Sequence, residues 1–331
     1  MSAQARTGAR TRVTRRLRAW ASACAGALAL ADAHAAPLTL GVSSGPVSLP
    51  LYVAEARGFF KDEGLDLQLR DCASGRECYQ WLAEGRVDVA TAAELQVAAG
   101  AAEHRDLAIF ATISTSSYQI KLVARRSAQV AEAPQIRGKR VATVPGSSAQ
   151  YFLDNWLVFN DIDPATVTLV GLAPDKLLPA LASRSVDAVA IWEPLASAAA
   201  LMLGGDAVMF VSPRVYTQHF NLVSARATLE RRDADVTRLL RALQRAQRAI
   251  QADPAAAQAL LAARLHVAPT LAATVMDGQD YRVRLDQSLV TTMQAEARWA
   301  AHGGRVGVDL LRTIAPAPLR RLDPAAVGLV Q

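Results

Sequence analysis

Short apolar runs recur from residue 38 onward, each closed by Gly, Pro or Ser and followed by apolar residues at helical spacing. The first predicted strand is Leu38 to Val42, and Ser43-Ser44-Gly45-Pro46 turns the chain. Leu51 to Phe60 reads as a helix stopped near Gly58, and Gly64 precedes a second strand, Leu65 to Leu69. A helix over Tyr79 to Glu84 ends at Gly85 and leads into a buried strand, Val87 to Ala90. Farther on, Val141 to Val144 is short and β-rich, and Pro145-Gly146 breaks it. Ser147 or Ser148 then caps a helix carrying Phe152, Trp156 and Phe159. Strands alternating with helices predict an α/β fold with mainly parallel sheet, covered on both faces.

The order then repeats. Leu82, Val87, Asp88 and Glu94 recur as Leu181, Val186, Asp187 and Glu193, all at an offset of 99. The strand before Ser43-Ser44 has its counterpart before Ser147-Ser148. Ile120 to Arg125 and Phe220 to Arg226 form a third pair, placed where two lobes must join. This predicts residues 36–118 with 220–331 as lobe one and 119–219 as lobe two, inserted into it. Two crossing strands make a hinge, and the turns after the strands of each lobe line a cleft, where open α/β sheets bind ligands.

Candidate site residues follow from these positions. In lobe one they are Ser43, Ser44, Pro50 and Tyr52 after the first strand, Thr91 and Glu94 after the strand that follows Asp88, and Thr115 and Ser116 before the crossover. In lobe two they are Gly146, Ser147 and Ser148 at a helix start, and Trp192 and Glu193 after the strand that follows Asp187. Free amides at such a helix start favour an anion, whereas a serine there equally caps its own helix. Trp192 either covers an apolar part of a ligand or packs at the hinge. Glu193 either accepts from an amine or caps the next helix, with Pro194 as its first residue. An anion site at Ser147 facing a free Glu193 would suit a zwitterion such as taurine.

Composition narrows the function classes. The chain has 331 residues, 51% hydrophobic, with a net charge of +6 and a pI of 9.5. Six arginines but only one acid, Asp32, lie in residues 1–35, so the remainder holds 30 basic and 29 acidic residues and gives no support to nucleic-acid binding. That basic start, the apolar run Ala19 to Ala31 and Ala33-His34-Ala35 read as a cleaved secretory signal peptide, with the mature chain expected from Ala36. Two cysteines then remain, Cys72 and Cys78, which in an oxidising compartment read as a local disulfide rather than two buried thiols. The chain-entropy model gives such a short loop about 2.4 kcal/mol. No metal-ligand spacing, nucleophile elbow or phosphate loop is present, so no catalytic residue, metal or cofactor is predicted. Asp253-Pro254 starts a helix running through Leu265. Arg238, Arg241, Arg245 and Arg248 form a stripe suited to a permease contact or a solvated helix face, and the tail beyond Ala268 is expected to pack on lobe one.

Several segments resemble a known family: Gly-Val-Ser-Ser-Gly-Pro from Gly41, Ala-Glu-Ala-Arg-Gly-Phe-Phe-Lys-Asp-Glu-Gly-Leu from Ala54, Gly-Arg-Val-Asp-Val-Ala from Gly85, Ile-Arg-Gly-Lys-Arg-Val-Ala-Thr-Val-Pro-Gly-Ser-Ser from Ile136, and Val-Asp-Ala-Val-Ala-Ile-Trp-Glu-Pro from Val186. In this order they are similar to substrate-binding proteins of nitrate, sulfonate and taurine ABC importers, over nearly all of residues 38–265. The resemblance implies a monomeric periplasmic binding protein of the type II fold. It would close its lobes on a small sulfonate-like or zwitterionic anion, taurine or an alkanesulfonate, and deliver it to an inner-membrane permease driven by an ATPase. Nitrate, a thiamine-pyrimidine or other heterocyclic precursor, or a ligand-sensing relay to a membrane partner are the alternatives.

Overall fold

In the computed structural model, residues 36–302 and 309–330 are described. The expected signal peptide lies outside them. The first part of the chain forms β1 (Leu38–Ser43), α1 (Leu49–Ala56), α2 (Phe59–Asp62), β2 (Leu67–Cys72), α3 (Gly75–Ala83), β3 (Val89–Ala93), α4 (Glu94–Gly100) and β4 (Leu107–Ser116). The second part forms β5 (Ile120–Arg125), β6 (Arg140–Thr143), α5 (Ser148–Phe159), β7 (Thr168–Gly171), α6 (Pro174–Ala182), β8 (Ala188–Trp192), α7 (Leu195–Leu203) and β9 (Ala207–Phe210). The chain then returns as β10 (Gln218–Ala225), followed by α8 (Arg226–Arg231), α9 (Asp233–Ala252), α10 (Pro254–Leu265), α11 (Pro269–Met276), β11 (Gln279–Asp280) and α12 (Gln287–Ala300).

Two mixed sheets result, ordered β11-β4-β10-β3-β1-β2 and β7-β6-β8-β5-β9. In each, three parallel strands are joined by an antiparallel neighbour, β10 in the first and β5 in the second. The sequence repeat is therefore a structural repeat. Asp88 accepts from the Thr39 amide and Asp187 from the Arg140 amide, both at 2.9 Å, so each Val-Asp step ties the third parallel strand of its sheet to the first parallel strand. The carboxylate satisfies an amide that the ladder leaves over at the strand end.

The hinge differs from the expectation in one respect. Ile120 to Arg125 and Phe220 to Ala225 are full sheet members, and the chain changes sheets just ahead of each, between Ser116 and Ile120 and between Phe210 and Gln218. Gln218 and His219, expected in lobe two, open β10 of the first sheet. The two crossings touch through Ser117 Oγ and Thr217 Oγ1, 2.6 Å apart.

Local signals explain the shifted helix starts. Ser74 Oγ accepts from the Glu77 amide at 3.2 Å while Glu77 Oε2 accepts from the Ala73 amide at 2.6 Å, so α3 begins at Gly75 instead of Tyr79. Gly58 takes φ +70°, which ends α1 and lets α2 start in a new direction. α9 buries Val236, Leu239, Leu240, Leu243 and Ala246 against the first core and leaves the arginine stripe on its other side. Arg245 pairs with Asp62 at 2.7 Å and Glu63 at 3.2 Å, and Arg238 with Asp235 at 2.9 Å, as on an ordinary solvated face. The tail packs on the first core through Leu289, Val290 and Met293 of α12, but the end of that helix does more. Trp299 packs against the second core and donates to Asp154 of α5 at 2.8 Å.

Candidate functional site

A cavity of about 180 Å³ lies between the sheets, at the C-terminal ends of their parallel strands. Helices that follow those strands start at its wall. Gly75 opens α3, Ser148 opens α5, Pro174 opens α6, and Glu193 lies just ahead of α7. This convergence is a consequence of parallel pairing, because each strand-to-helix turn falls on the same edge. Their dipoles give the cavity a positive field.

Six of the sequence-derived candidates line the cavity: Ser43, Ser44, Ser147, Ser148, Trp192 and Glu193. The others do not. Tyr52 and Thr91 stand behind the wall. Tyr52 Oη accepts from the Gly45 amide at 3.2 Å and donates to the Ser43 carbonyl at 3.3 Å, while Thr91 Oγ1 accepts from the Ser43 amide at 2.9 Å. They fix the Ser43–Gly45 turn without reaching the cavity. Pro50 is buried in the first turn of α1. Thr115 accepts from Arg284 at 3.1 Å, Ser116 donates to the Gly278 carbonyl at 2.8 Å, and Glu94 is fully buried against Tyr216 and His219. Gly146 sits beside the wall at φ +65°, its amide held by Gln150 Oε1 at 2.8 Å.

Ser147 is the cap of α5, and the Glu193 side chain is bonded into the first turn of α7. Ser147 Oγ accepts from the amides of Ala149 at 3.2 Å and Gln150 at 3.5 Å. Glu193 Oε2 accepts from the Ser197 amide at 3.0 Å and Oε1 from Ser197 Oγ at 2.7 Å, and Lys121 Nζ is bonded to the same Oε1. Pro194 is the capping residue of α7, not its first residue. The carboxylate is thus compensated within the second lobe, which removes the premise of the zwitterion reading.

Three features of the wall escaped the sequence. Ser74, Gly75 and Arg76 belong to the loop closed by the Cys72–Cys78 disulfide. Gln119 faces the cavity from the first crossing, and Gln218 and Phe220 face it from β10. A signal was present, since Gly75 and Pro174, Ala93 and Trp192, and Gln119 and Gln218 are each separated by the same offset of 99 and all six line the cavity. Arg76 makes no ion pair among the described residues, and its Nη1 donates to the Pro145 carbonyl at 3.0 Å, reaching from the first lobe to the second. The charged groups on the wall are therefore Arg76, unpaired, and Glu193, already neutralised.

The disulfide holds this wall. Cys72 and Cys78 are both buried, with Cα atoms 5.6 Å apart, so the loop is anchored in the core and not merely on the surface. Replacing both cysteines by serine is expected to cost about 2 kcal/mol, seen as a lower denaturant midpoint with an unchanged slope. The same variant should weaken ligand binding, because Arg76 loses its anchor.

A family model described as NMT1/THI5 like matches residues 45–257. A protein of Bacillus subtilis (strain 168) named for binding aliphatic sulfonates is 28% identical over 205 residues, 60% of each chain, so this chain spans about three fifths of that relative. Among solved structures, the alkanesulfonate-binding protein SsuA from Xanthomonas axonopodis pv. citri, bound to MOPS, aligns with a TM-score of 0.71 at 20% identity, over 85% of this chain and 98% of that one. The periplasmic nitrate-binding protein NrtA from Synechocystis PCC 6803 aligns at 0.69 with 14% identity, over 87% and 88%. At these identities the structures establish a shared fold.

Proposed function

The chain belongs to the NMT1/THI5-like family, and from that premise we propose that it is the extracytoplasmic solute-binding component of an ABC importer, taking a small organic anion of the alkanesulfonate class. The observation that carries the ligand class is the cavity wall. Its one uncompensated charge is the Arg76 cation, helix starts surround it, and Val47, Val144, Trp192 and Phe220 make much of the rest apolar. An anionic head with a short alkyl tail matches both halves. Nitrate would leave the apolar part unfilled. Taurine would place an ammonium where the nearby carboxylate is already bonded to Lys121 and Ser197.

Thermal unfolding of the protein with butanesulfonate, ethanesulfonate, taurine and nitrate tests this reading. A ligand at about 100 times its Kd stabilises by about 2.7 kcal/mol, a shift of several degrees. Butanesulfonate should give the largest shift and taurine less than ethanesulfonate. No shift with any sulfonate, and a shift with a pyrimidine precursor instead, would overturn the anion assignment in favour of stacking on Trp192 and Phe220.

A further inference from the structure

Outside the cavity, the most unusual chemistry is at the crossover. Glu94 of α4 and Glu296 of α12 are both 0% exposed, and the Tyr216 hydroxyl lies 2.8 Å from Glu94 Oε1 and 3.0 Å from Glu296 Oε1. A phenol has one proton to donate, so it cannot satisfy two ionised carboxylates. One of them must be an acid that donates in return. Glu94 also accepts from the His219 amide at 3.0 Å, a bond that suits a carboxylate oxygen carrying no proton. Glu296 Oε2 has no hydrogen-bond partner among the described residues, which a neutral carbonyl oxygen bears far better than a charged one. The assignment is then Glu296 O–H to Tyr216, and Tyr216 O–H to Glu94. Burial first, and the Glu94 charge second, push the Glu296 carboxyl well above its ordinary range.

Among the described residues, no lysine or arginine pairs with Glu94 or Glu296 to offset a second charge. From α5, Tyr151 packs edge-on against Tyr216 at 5.2 Å and against Trp299 at 5.5 Å, and Asp154 accepts from Trp299. His219 Nε2 bonds to Ser288 of α12 at 3.1 Å, and Arg298 is the nearest basic residue along α12. Tyr216 belongs to the second core, whereas Glu94 sits on a first-lobe helix and Glu296 on a helix packed against the first core. The shared hydroxyl is therefore a bond between lobes at the pivot.

We propose that the Glu296 carboxyl proton, shared with the Tyr216 hydroxyl that in turn donates to Glu94, keeps the lobes in the approached arrangement, in which Arg76 reaches Pro145, and that losing this proton loosens the cleft and lowers ligand affinity. The three act as positioning residues. When Glu296 loses its proton, two carboxylates face one hydroxyl in a buried site, and α12 withdraws together with Trp299. A group whose pKa is raised in the folded state contributes fully below its unfolded value, and that contribution is lost as pH rises through the folded one. The effect therefore runs toward weaker closure at higher pH. It is independent of which ligand occupies the cavity.

The test uses the full chain with spin labels on Lys61→Cys and Ala182→Cys, exposed sites on opposite lobes, at pH 6 and pH 9 without ligand. The interlabel distance distribution should lengthen at pH 9 in the otherwise native chain and stay unchanged in Glu296→Gln, whose amide still donates to Tyr216 at every pH. Butanesulfonate affinity should fall at least fivefold over that range in the native chain and less than twofold in Glu296→Gln. Tyr216→Phe should show the longer distances at both pH values. Parallel pH profiles in native and Glu296→Gln proteins, or no change in either, would overturn the proposal. A distance change that Glu296→Gln abolishes, with no butanesulfonate binding at any pH, would uphold the shared proton and remove the sulfonate reading instead.

Discussion

Replacing Lys121 by methionine is expected to destabilise the protein by about 3–5 kcal/mol, because it strands the Glu193 carboxylate in a site where that side chain is only 1% exposed. Lys121 lies on β5 and Glu193 just past β8, adjacent antiparallel strands, and only the Ser197 amide and hydroxyl would remain as partners. In thermal unfolding this corresponds to a fall of roughly 6–10 °C for a chain of this size. The double variant Lys121→Met with Glu193→Gln should recover most of the loss, since a glutamine still accepts from Ser197 and carries no charge to compensate. A single variant with near-native stability would mean that Glu193 is held neutral and that the pair is not an ion pair.

Arg76→Met is expected to weaken binding of butanesulfonate by about 10- to 100-fold while leaving the melting temperature of the free protein within a degree or two. A charge-assisted hydrogen bond to an ion contributes about 1.5–3 kcal/mol, and the exposed position of Arg76 places the expected loss toward the lower part of that range. Its bond to the Pro145 carbonyl adds a second effect, since the variant also loses a contact from lobe to lobe across the cleft. Arg76→Lys should fall between the two, because an ammonium supplies the charge without the planar fork that reaches two acceptors. Calorimetric titration at low and moderate salt separates the contributions. An unchanged Kd in Arg76→Met would mean that the helix starts around the cavity, and not Arg76, hold the anion.

The repeat at an offset of 99 carried most of what could be read in advance. It located the third parallel strand of each sheet and the two acidic residues that tie strand ends together, and a second match at a similar but not identical offset located the turns at Ser43 and Ser147 that reach the cavity. It failed at Glu94 and Glu193, which share a position in the repeat and are both buried, yet have different partners. Glu94 meets Tyr216 and His219 at the pivot, and Glu193 meets Lys121 and Ser197 under α7. A carboxylate after a strand looks the same in either setting along the chain. The proline after Glu193 suggested a cap, but nothing local announced that a lysine 72 residues earlier would neutralise it.

Periodicity and turn chemistry were enough to determine the α/β class, the two-fold repeat and the disulfide between Cys72 and Cys78, because each depends on residues close in sequence or on a pattern that recurs. The membership of the cavity wall was decided by tertiary structure. Arg76 and Phe220 reach it from α3 and β10, while Tyr52, much nearer in sequence to the Ser43 turn, is held behind it together with Thr91. Which side of a strand-end turn faces the cleft depends on how the antiparallel strands β5 and β10 enter their sheets, and that is fixed by pairing between residues 64 to 135 positions apart. The same long-range pairing brings two carboxyls and a phenol together at the crossover, where the cost of burying a second charge, not any local propensity, determines the protonation state.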